Sequence, residues 1–140
     1  MRSFIAAALF AIALLPGCSS MDSMMGGQST DLIKSLSQQT GTSNAQATGG
    51  VGAMLKLAQE KLSAGDFDQV AKAIPGADKY LASAKQLLGG ANIGNASGLQ
   101  SAFSKLGMSP EMVEKFKPIV TDYVSKAGGQ AGSLLASALK

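Results

Sequence analysis

The sequence predicts an all-α protein, a small bundle of about six or seven short helices joined in helix–turn–helix hairpins. Glycine and proline break the chain at short intervals, as they do between helices. Serine, threonine and aspartate precede several segments, where their oxygens cap helix N-termini. Apolar residues also recur with a period near 3.6, most clearly at Ala47, Val51, Met54, Leu55, Ala58 and Leu62.

The first two helices are predicted from their caps. Thr30 is the expected N-cap of a helix over Asp31–Gln39. Ser43 is the expected N-cap of a longer helix, with Gln46 as its capping-box partner, and Gly65 is its expected end.

The next two helices follow without a long linker. Asp66 is expected to cap the third helix, with Gln69 closing a capping box, and Pro75-Gly76 to end it. The fourth helix is expected over Ala77–Leu88. Its inward face is predicted to carry Tyr80, Leu81, Ala84, Leu87 and Leu88.

A glycine-rich stretch over residues 89–98 separates the two halves of one helical domain, 30–88 and 99–140, and is read either as a boundary or as a mobile loop. A short helix is expected over Leu99–Leu106. Ser109-Pro110-Glu111 then starts a long helix that ends at Gly128-Gly129 and is followed by a last one.

The long helix contains Pro118, which is expected either to kink it or to split it after Phe116. The joint around Gly107 and Ser109 also resembles the joint around Gly41 and Ser43, at an offset of 66 residues.

The N-terminal residues indicate export. A basic start precedes a 12-residue apolar run over Phe4–Leu15, which is too short to cross a bilayer but suits a signal peptide. The stretch Leu15-Pro16-Gly17-Cys18 resembles the lipobox of bacterial lipoproteins. That resemblance implies cleavage of residues 1–17 and lipidation of Cys18, the only cysteine; the alternatives are a free Cys18 after cleavage or an uncleaved helix.

Residues 18–29 are expected to form the lipidated N-terminus and a flexible tether. No acidic residue directly follows Cys18, which in Gram-negative lipoproteins resembles the pattern of sorting to the outer membrane. We therefore expect a protein of the bacterial envelope that faces the periplasm. Its expected partners are the membrane through the lipid anchor and either an envelope protein or a second copy.

Composition argues against several classes of function. The net charge is +3 and the lysines are scattered singly, whereas nucleic-acid binding needs a clustered positive face. There is no histidine, which excludes His-dependent triads and the usual zinc sites. We expect no nucleic acid, no cofactor and no enzymatic activity; Ser101 and Lys105 have the wrong spacing for a Ser-x-x-Lys motif.

Three local patterns have both a functional and a structural interpretation. Gly49-Gly50-Val51-Gly52 fits neither common phosphate-binding pattern and favours close helix packing. Asp66 and Asp68 form no calcium-loop array and suit a helix start. Asn95-Ala96-Ser97 matches a glycosylation acceptor, which carries little weight in a bacterial lipoprotein.

Residues from about Asp31 to Leu81 resemble the VcgC/VcgE-like family of small bacterial proteins. The likeness is carried by Asp31-Leu32-Ile33, by the stretch from Gly41 to Gly52 with the following Ala53, by Leu57-Ala58, by Gly65-Asp66-Phe67 and by Ile74-Pro75-Gly76. The resemblance implies an all-helical domain and brings no catalytic residues.

The leading interpretation is a lipid-anchored, non-catalytic interaction or structural module. The alternative is a carrier of a small apolar or lipid ligand, because helices rich in Met and Ala can leave a cavity between them.

Overall fold

The computed structural model describes residues 27–140, with side chains from Asp31 onward. The predicted signal peptide, Cys18 and residues 18–26 of the tether lie outside the described residues. The described part contains seven helices and no strand, which confirms the all-α prediction. They are α1 Gly27–Thr40, α2 Asn44–Lys61, α3 Ala64–Ala73, α4 Ala77–Leu88, α5 Ala96–Lys105, α6 Met112–Gly128 and α7 Gln130–Ala138.

Helix α2 lies at the centre of the bundle. All residues from 49 to 58 except Lys56 are buried, so this part of α2 is buried around its whole circumference and not only along the apolar stripe that the sequence predicted. A helix that is apolar all round belongs in a core. Helices α1, α3, α4, α5, α6 and α7 all pack against it. One hydrophobic core therefore joins residues from both halves of the domain.

Two predicted N-caps are wrong. Helix α1 begins at Gly27, so Thr30 lies inside it, and residues 27–29 of the predicted tether are helical. Helix α2 ends at Lys61 rather than at Gly65, because Ser63 caps α3 by accepting a hydrogen bond from the backbone N–H of Asp66 at 3.2 Å. Asp66 is therefore the third residue of α3 and not its cap.

The cap predicted for α2 is confirmed. The Ser43 hydroxyl accepts from the Gln46 backbone N–H at 3.2 Å, and the Gln46 side-chain oxygen accepts from the Ser43 backbone N–H at 3.1 Å. The Gln46 side-chain nitrogen also donates to the carbonyl oxygen of Leu106 at 3.2 Å. This one residue therefore starts α2 and ties it to the end of α5.

The second half differs from prediction at two starts. Helix α5 begins at Ala96 because Asn95 caps it, accepting from the Gly98 backbone N–H at 2.8 Å. The Ser109 side chain caps nothing; its carbonyl instead accepts from the Met112 N–H at 3.0 Å in a turn before α6. Helix α6 continues through Pro118 and is not split after Phe116.

An aromatic pair of the second half packs against Gly50 of α2 in the first half. The rings of Phe103 and Phe116 meet edge to face, with centroids 5.1 Å apart and planes at 85°, a favoured geometry for aromatic pairs. Both rings are fully buried. A Cβ at Gly50 would lie 2.7 Å from the Phe116 ring and 3.1 Å from that of Phe103, so the missing side chain makes room for the pair.

Candidate functional site: the α4–α5 loop and its two grooves

The α4–α5 loop, residues 89–95, has a conformation that depends on glycine. Gly89, Gly90 and Gly94 have φ values of +66°, +73° and +56°, in the left-handed region where other residues are strained. Ile93 lies between them and is only 4% exposed. The loop is thus anchored in the core by one side chain and turned by the glycines on either side.

Glu60 of α2 holds the end of this loop. One carboxylate oxygen accepts from the Gly94 backbone N–H at 2.6 Å, and the other accepts from the Ile93 N–H at 3.4 Å. Lys56, one turn earlier, lies 3.4 Å from the same carboxylate. Hydrogen bonds from backbone N–H groups to a carboxylate stabilise its charged form.

The pKa of Glu60 reflects these contacts. Burial, the largest single cause, raises the pKa of this carboxyl. The hydrogen bonds from Gly94 and Ile93 and the charge of Lys56 together lower it by more, so that the pKa lies below its ordinary value of 4.5. Glu60 therefore stays ionised near neutral pH and keeps both backbone contacts.

A groove lies between the loop and α5, and we call it the loop–α5 groove. Its volume is about 260 Å³. Buried Leu88, Ile93 and Ala102 supply apolar surface, and exposed Lys105 supplies a positive charge. The complete lining is Leu88, Ala91, Asn92, Ile93, Gly98, Ser101, Ala102 and Lys105.

A second groove, the loop–α4 groove, lies between α2, α4 and the start of the loop and has a volume of about 340 Å³. It is lined by Lys56, Gln59, Leu81, Ala82, Lys85 and Gly90. On α4, Leu87 was predicted to face inward. Its side chain reaches α2, with one methyl carbon 3.1 Å from where a Cβ of Gly49 would lie, but the residue stays 52% exposed. The surface around the loop thus combines apolar side chains with lysines.

The glycines of α2 are packing residues, as the sequence predicted. A Cβ at Gly52 would lie 2.8 Å from the Ala84 Cβ and still closer to the Tyr80 carbonyl oxygen. A Cβ at Gly49 would lie 2.8 Å from the Leu106 side chain. These close approaches are within one chain and explain why glycine occupies these positions.

The predicted acidic pair serves the structure of α3. The Asp66 carboxylate accepts from the Ser63 hydroxyl at 2.8 Å, and Asp68 pairs with Lys72 one turn later. Among the residues that the structure describes, no three Asp, Glu, Cys or His side chains are grouped closely enough to hold a metal ion.

Ser101 and Lys105, which the sequence placed at the wrong spacing for a catalytic motif, lie on one face of α5 and both line the loop–α5 groove. The Ser101 hydroxyl donates to the carbonyl oxygen of Ser97 at 3.0 Å, a common local bond in helices. Their shared position gives this groove a polar rim.

Within residues 27–140, none of the helices has the length and apolar character that crossing a membrane requires. Cys18 lies outside the described residues, so its lipidation stays a prediction.

Comparison with known families gives one match. The model of the family described as "Protein of unknown function VcgC/VcgE (DUF2780)" matches residues 18–140. The chain belongs to this family. The match extends the resemblance seen over Asp31–Leu81 to the C-terminal helices, so the matched region includes both halves. No curated protein and no solved structure matches the chain.

The loop–α4 groove could not be identified from the sequence, because its lining joins Lys56 and Gln59 of α2 to residues of α4 and the loop. The loop–α5 groove is lined only by residues between Leu88 and Lys105, but it depends on how the loop folds against α5. The one available signal was the glycine-rich stretch 89–98, which indicated a loop of unusual conformation. The Glu60 contact spans 34 residues to Gly94, and no local pattern predicts such a pairing.

Proposed function

We propose that this VcgC/VcgE family protein is a lipid-anchored, non-catalytic module of the bacterial envelope. Cys18 carries the lipid, residues 1–17 are removed, and the helical domain is presented from the outer membrane to the periplasm. It acts there through contact with an envelope protein or with a second copy of itself.

The observation that carries this proposal is the position of Cys18. It directly follows a signal-like apolar run and a lipobox-like stretch, Leu15-Pro16-Gly17. The family match also begins at residue 18, the residue that becomes first after the proposed cleavage. A single acyl chain gives only marginal membrane binding, whereas two or more give a stable anchor. Lipidation of this cysteine therefore fits a protein without an apolar spanning helix among residues 27–140.

The test is the intact mass of the protein from the membrane fraction of its native host, measured beside a Cys18→Ala variant. We expect the native protein to lack residues 1–17 and to carry added acyl groups, and the variant to leave the membrane. A native chain with an unmodified thiol, or a variant that stays membrane-bound, would overturn the anchor.

A second candidate function is the carriage of a small apolar or lipid ligand. Met54 and Met108 lie in the core and Met112 packs against it, so these residues contribute to packing. The observation that favours a carrier is instead the loop–α5 groove, with its apolar lining and its lysine. Small-molecule sites commonly combine an apolar cleft with a few placed polar groups.

A further inference from the structure

We propose that the loop–α5 groove binds a single-chain anionic amphiphile, with the alkyl chain along Leu88, Ile93 and Ala102 and the anionic head at Lys105. This inference rests on the second candidate function and gives it a ligand class and residues. It is independent of lipidation at Cys18.

The apolar part of the site is already in place. Leu88 and Ile93 are each 4% exposed, as is Ala102, yet all three line the groove. All three belong to the lining of the same groove between the loop and α5. An alkyl chain placed there gains burial at the cost of little rearrangement, because the surrounding core is packed.

The volume of the groove suits one alkyl chain. The groove has a volume of about 260 Å³, just below the range of about 300–1,000 Å³ that is usual for small-molecule sites. A two-chain phospholipid exceeds this space, whereas one alkyl chain of medium length fits it.

The charge of the rim selects the head group. Lys105 is exposed and makes no ion pair within residues 31–140. No acidic side chain lines the groove. Asn92 and Ser101 add polar groups beside the lysine. An anionic head group would therefore meet the positive charge of Lys105 and no negatively charged side chain in the lining.

Glu60 acts as a positioning residue for this site. Its carboxylate binds the backbone of Ile93 and Gly94 from the α2 side and so holds the loop that forms one wall of the groove. Ile93 connects the two features, since its N–H donates to Glu60 and the residue lines the groove.

Two serines of α5 give a matched pair of variants. Ser101 and Ser104 are both exposed, and their hydroxyls donate to the carbonyl one turn earlier at 3.0 and 3.1 Å. Only Ser101 lines the groove. Ser101→Phe therefore fills the groove, and Ser104→Phe adds the same ring to the same helix outside it.

The experiment uses the Cys18→Ala chain, so that its result is separate from the anchor. Decanoate, decyl phosphate and uncharged decanol are titrated below the concentration at which they form micelles, and backbone amide shifts are followed by NMR. We expect saturable binding of an anionic probe, with shifts at Gly98 and Ala102. Binding should be weakened at least tenfold by Ser101→Phe and severalfold by Lys105→Ala, but not by Ser104→Phe. Lys115, an exposed lysine of α6 that lines neither groove, is the control for charge, and Lys115→Ala should leave binding unchanged. The stronger of decanoate and decyl phosphate shows whether the head is a carboxylate or a phosphate.

Three results would overturn the proposal: no saturable binding, equal effects of Ser101→Phe and Ser104→Phe, or binding of decanol as tight as that of both anions. Glu60→Gln adds a separate readout, because a positioning role predicts weaker binding together with faster hydrogen exchange at the Gly94 amide. Loss of binding with unchanged exchange there would contradict the role of Glu60.

Discussion

Gly52→Ala tests the packing of α2 against α4. An alanine Cβ at this position would overlap the Tyr80 carbonyl oxygen and would lie 2.8 Å from the Ala84 Cβ. Both obstacles belong to the α4 backbone or to a side chain without rotamers. Relief therefore requires the two helices to move apart, and a flexible side chain cannot absorb the strain.

The size of the effect follows from two opposing contributions. Overpacking a core costs about 1–3 kcal/mol. Replacing glycine by alanine inside a helix returns about 0.5–1 kcal/mol. The two ranges differ by about 0–2.5 kcal/mol. Because the closest obstacle is the Tyr80 backbone carbonyl, which cannot rotate away, we expect the upper part of that range, a fall in the free energy of unfolding of about 1–2 kcal/mol. At about 4 °C per kcal/mol for a domain of this size, the melting temperature should fall by about 4–8 °C.

Gly65→Ala is the matched control. Gly65 also lies in a helix, the first turn of α3, but a Cβ there meets nothing within 4 Å. This variant should be unchanged or more stable by up to about 1 kcal/mol. Urea unfolding followed by far-UV circular dichroism measures both variants. If Gly52→Ala were as stable as Gly65→Ala, close contact between α2 and α4 would be refuted as the reason for glycine.

Three further predictions concern single side chains. Ser43→Ala should lower the free energy of unfolding by about 0.5–2 kcal/mol, because it removes the side-chain cap of α2. Ser109→Ala should change it by less than about 0.5 kcal/mol. Chemical denaturation measures both variants, and equal losses would contradict the capping role of Ser43. Because the pKa of Glu60 is lowered in the folded state, the ionised carboxylate contributes to stability above its ordinary pKa of 4.5, and this contribution is lost as pH falls below that value. The urea midpoint should therefore fall less steeply with acid pH in Glu60→Gln than in the unchanged protein. Parallel profiles would refute this role of Glu60. Burial, and then the charge of Asp31, raise the pKa of Tyr123 above its ordinary value of 10.0. The contribution of the neutral Tyr123 side chain to stability is therefore present below that pH and is lost as pH rises through the folded-state pKa. The urea midpoint should fall less steeply with alkaline pH in Tyr123→Phe, and an unchanged pH profile would argue against this role of Tyr123.

Local chemistry made part of the fold predictable. The Ser43–Gln46 capping box and helix α4, Ala77–Leu88, follow from a few neighbouring residues and were both correct. The same rules were less reliable where two caps compete. Ser63 and Asp66 are both good N-caps. The chain uses Ser63, and Asp66, the third residue of the helix, accepts a hydrogen bond from the Ser63 hydroxyl.

Features that depend on several helices were not predictable from periodicity. Helix α2 is surrounded by other helices, so small residues outside its periodic apolar stripe, such as Gly49, Gly52 and Ala53, are buried as well. Leu87 belongs to the apolar pattern of α4 but is 52% exposed, because the pattern indicates a face and not where the neighbouring helices end. The groove beside Lys105 arises only when the α4–α5 loop is placed against α5.

The two proposals concern different parts of the chain, but geometry connects them. Cys18 and Gly27, the first residue of α1, are nine Cα steps apart (27 − 18 = 9). At about 3.4 Å per step, this segment reaches at most about 30 Å. A lipidated Cys18 would therefore hold α1 within about that distance of the bilayer surface. A single-chain amphiphile leaving the membrane would meet the loop–α5 groove at high local concentration, so even a weak affinity would be enough to keep the groove occupied. Anchoring and amphiphile binding would then act together, and removing the anchor should lower occupancy of the groove in cells without changing the affinity measured in solution.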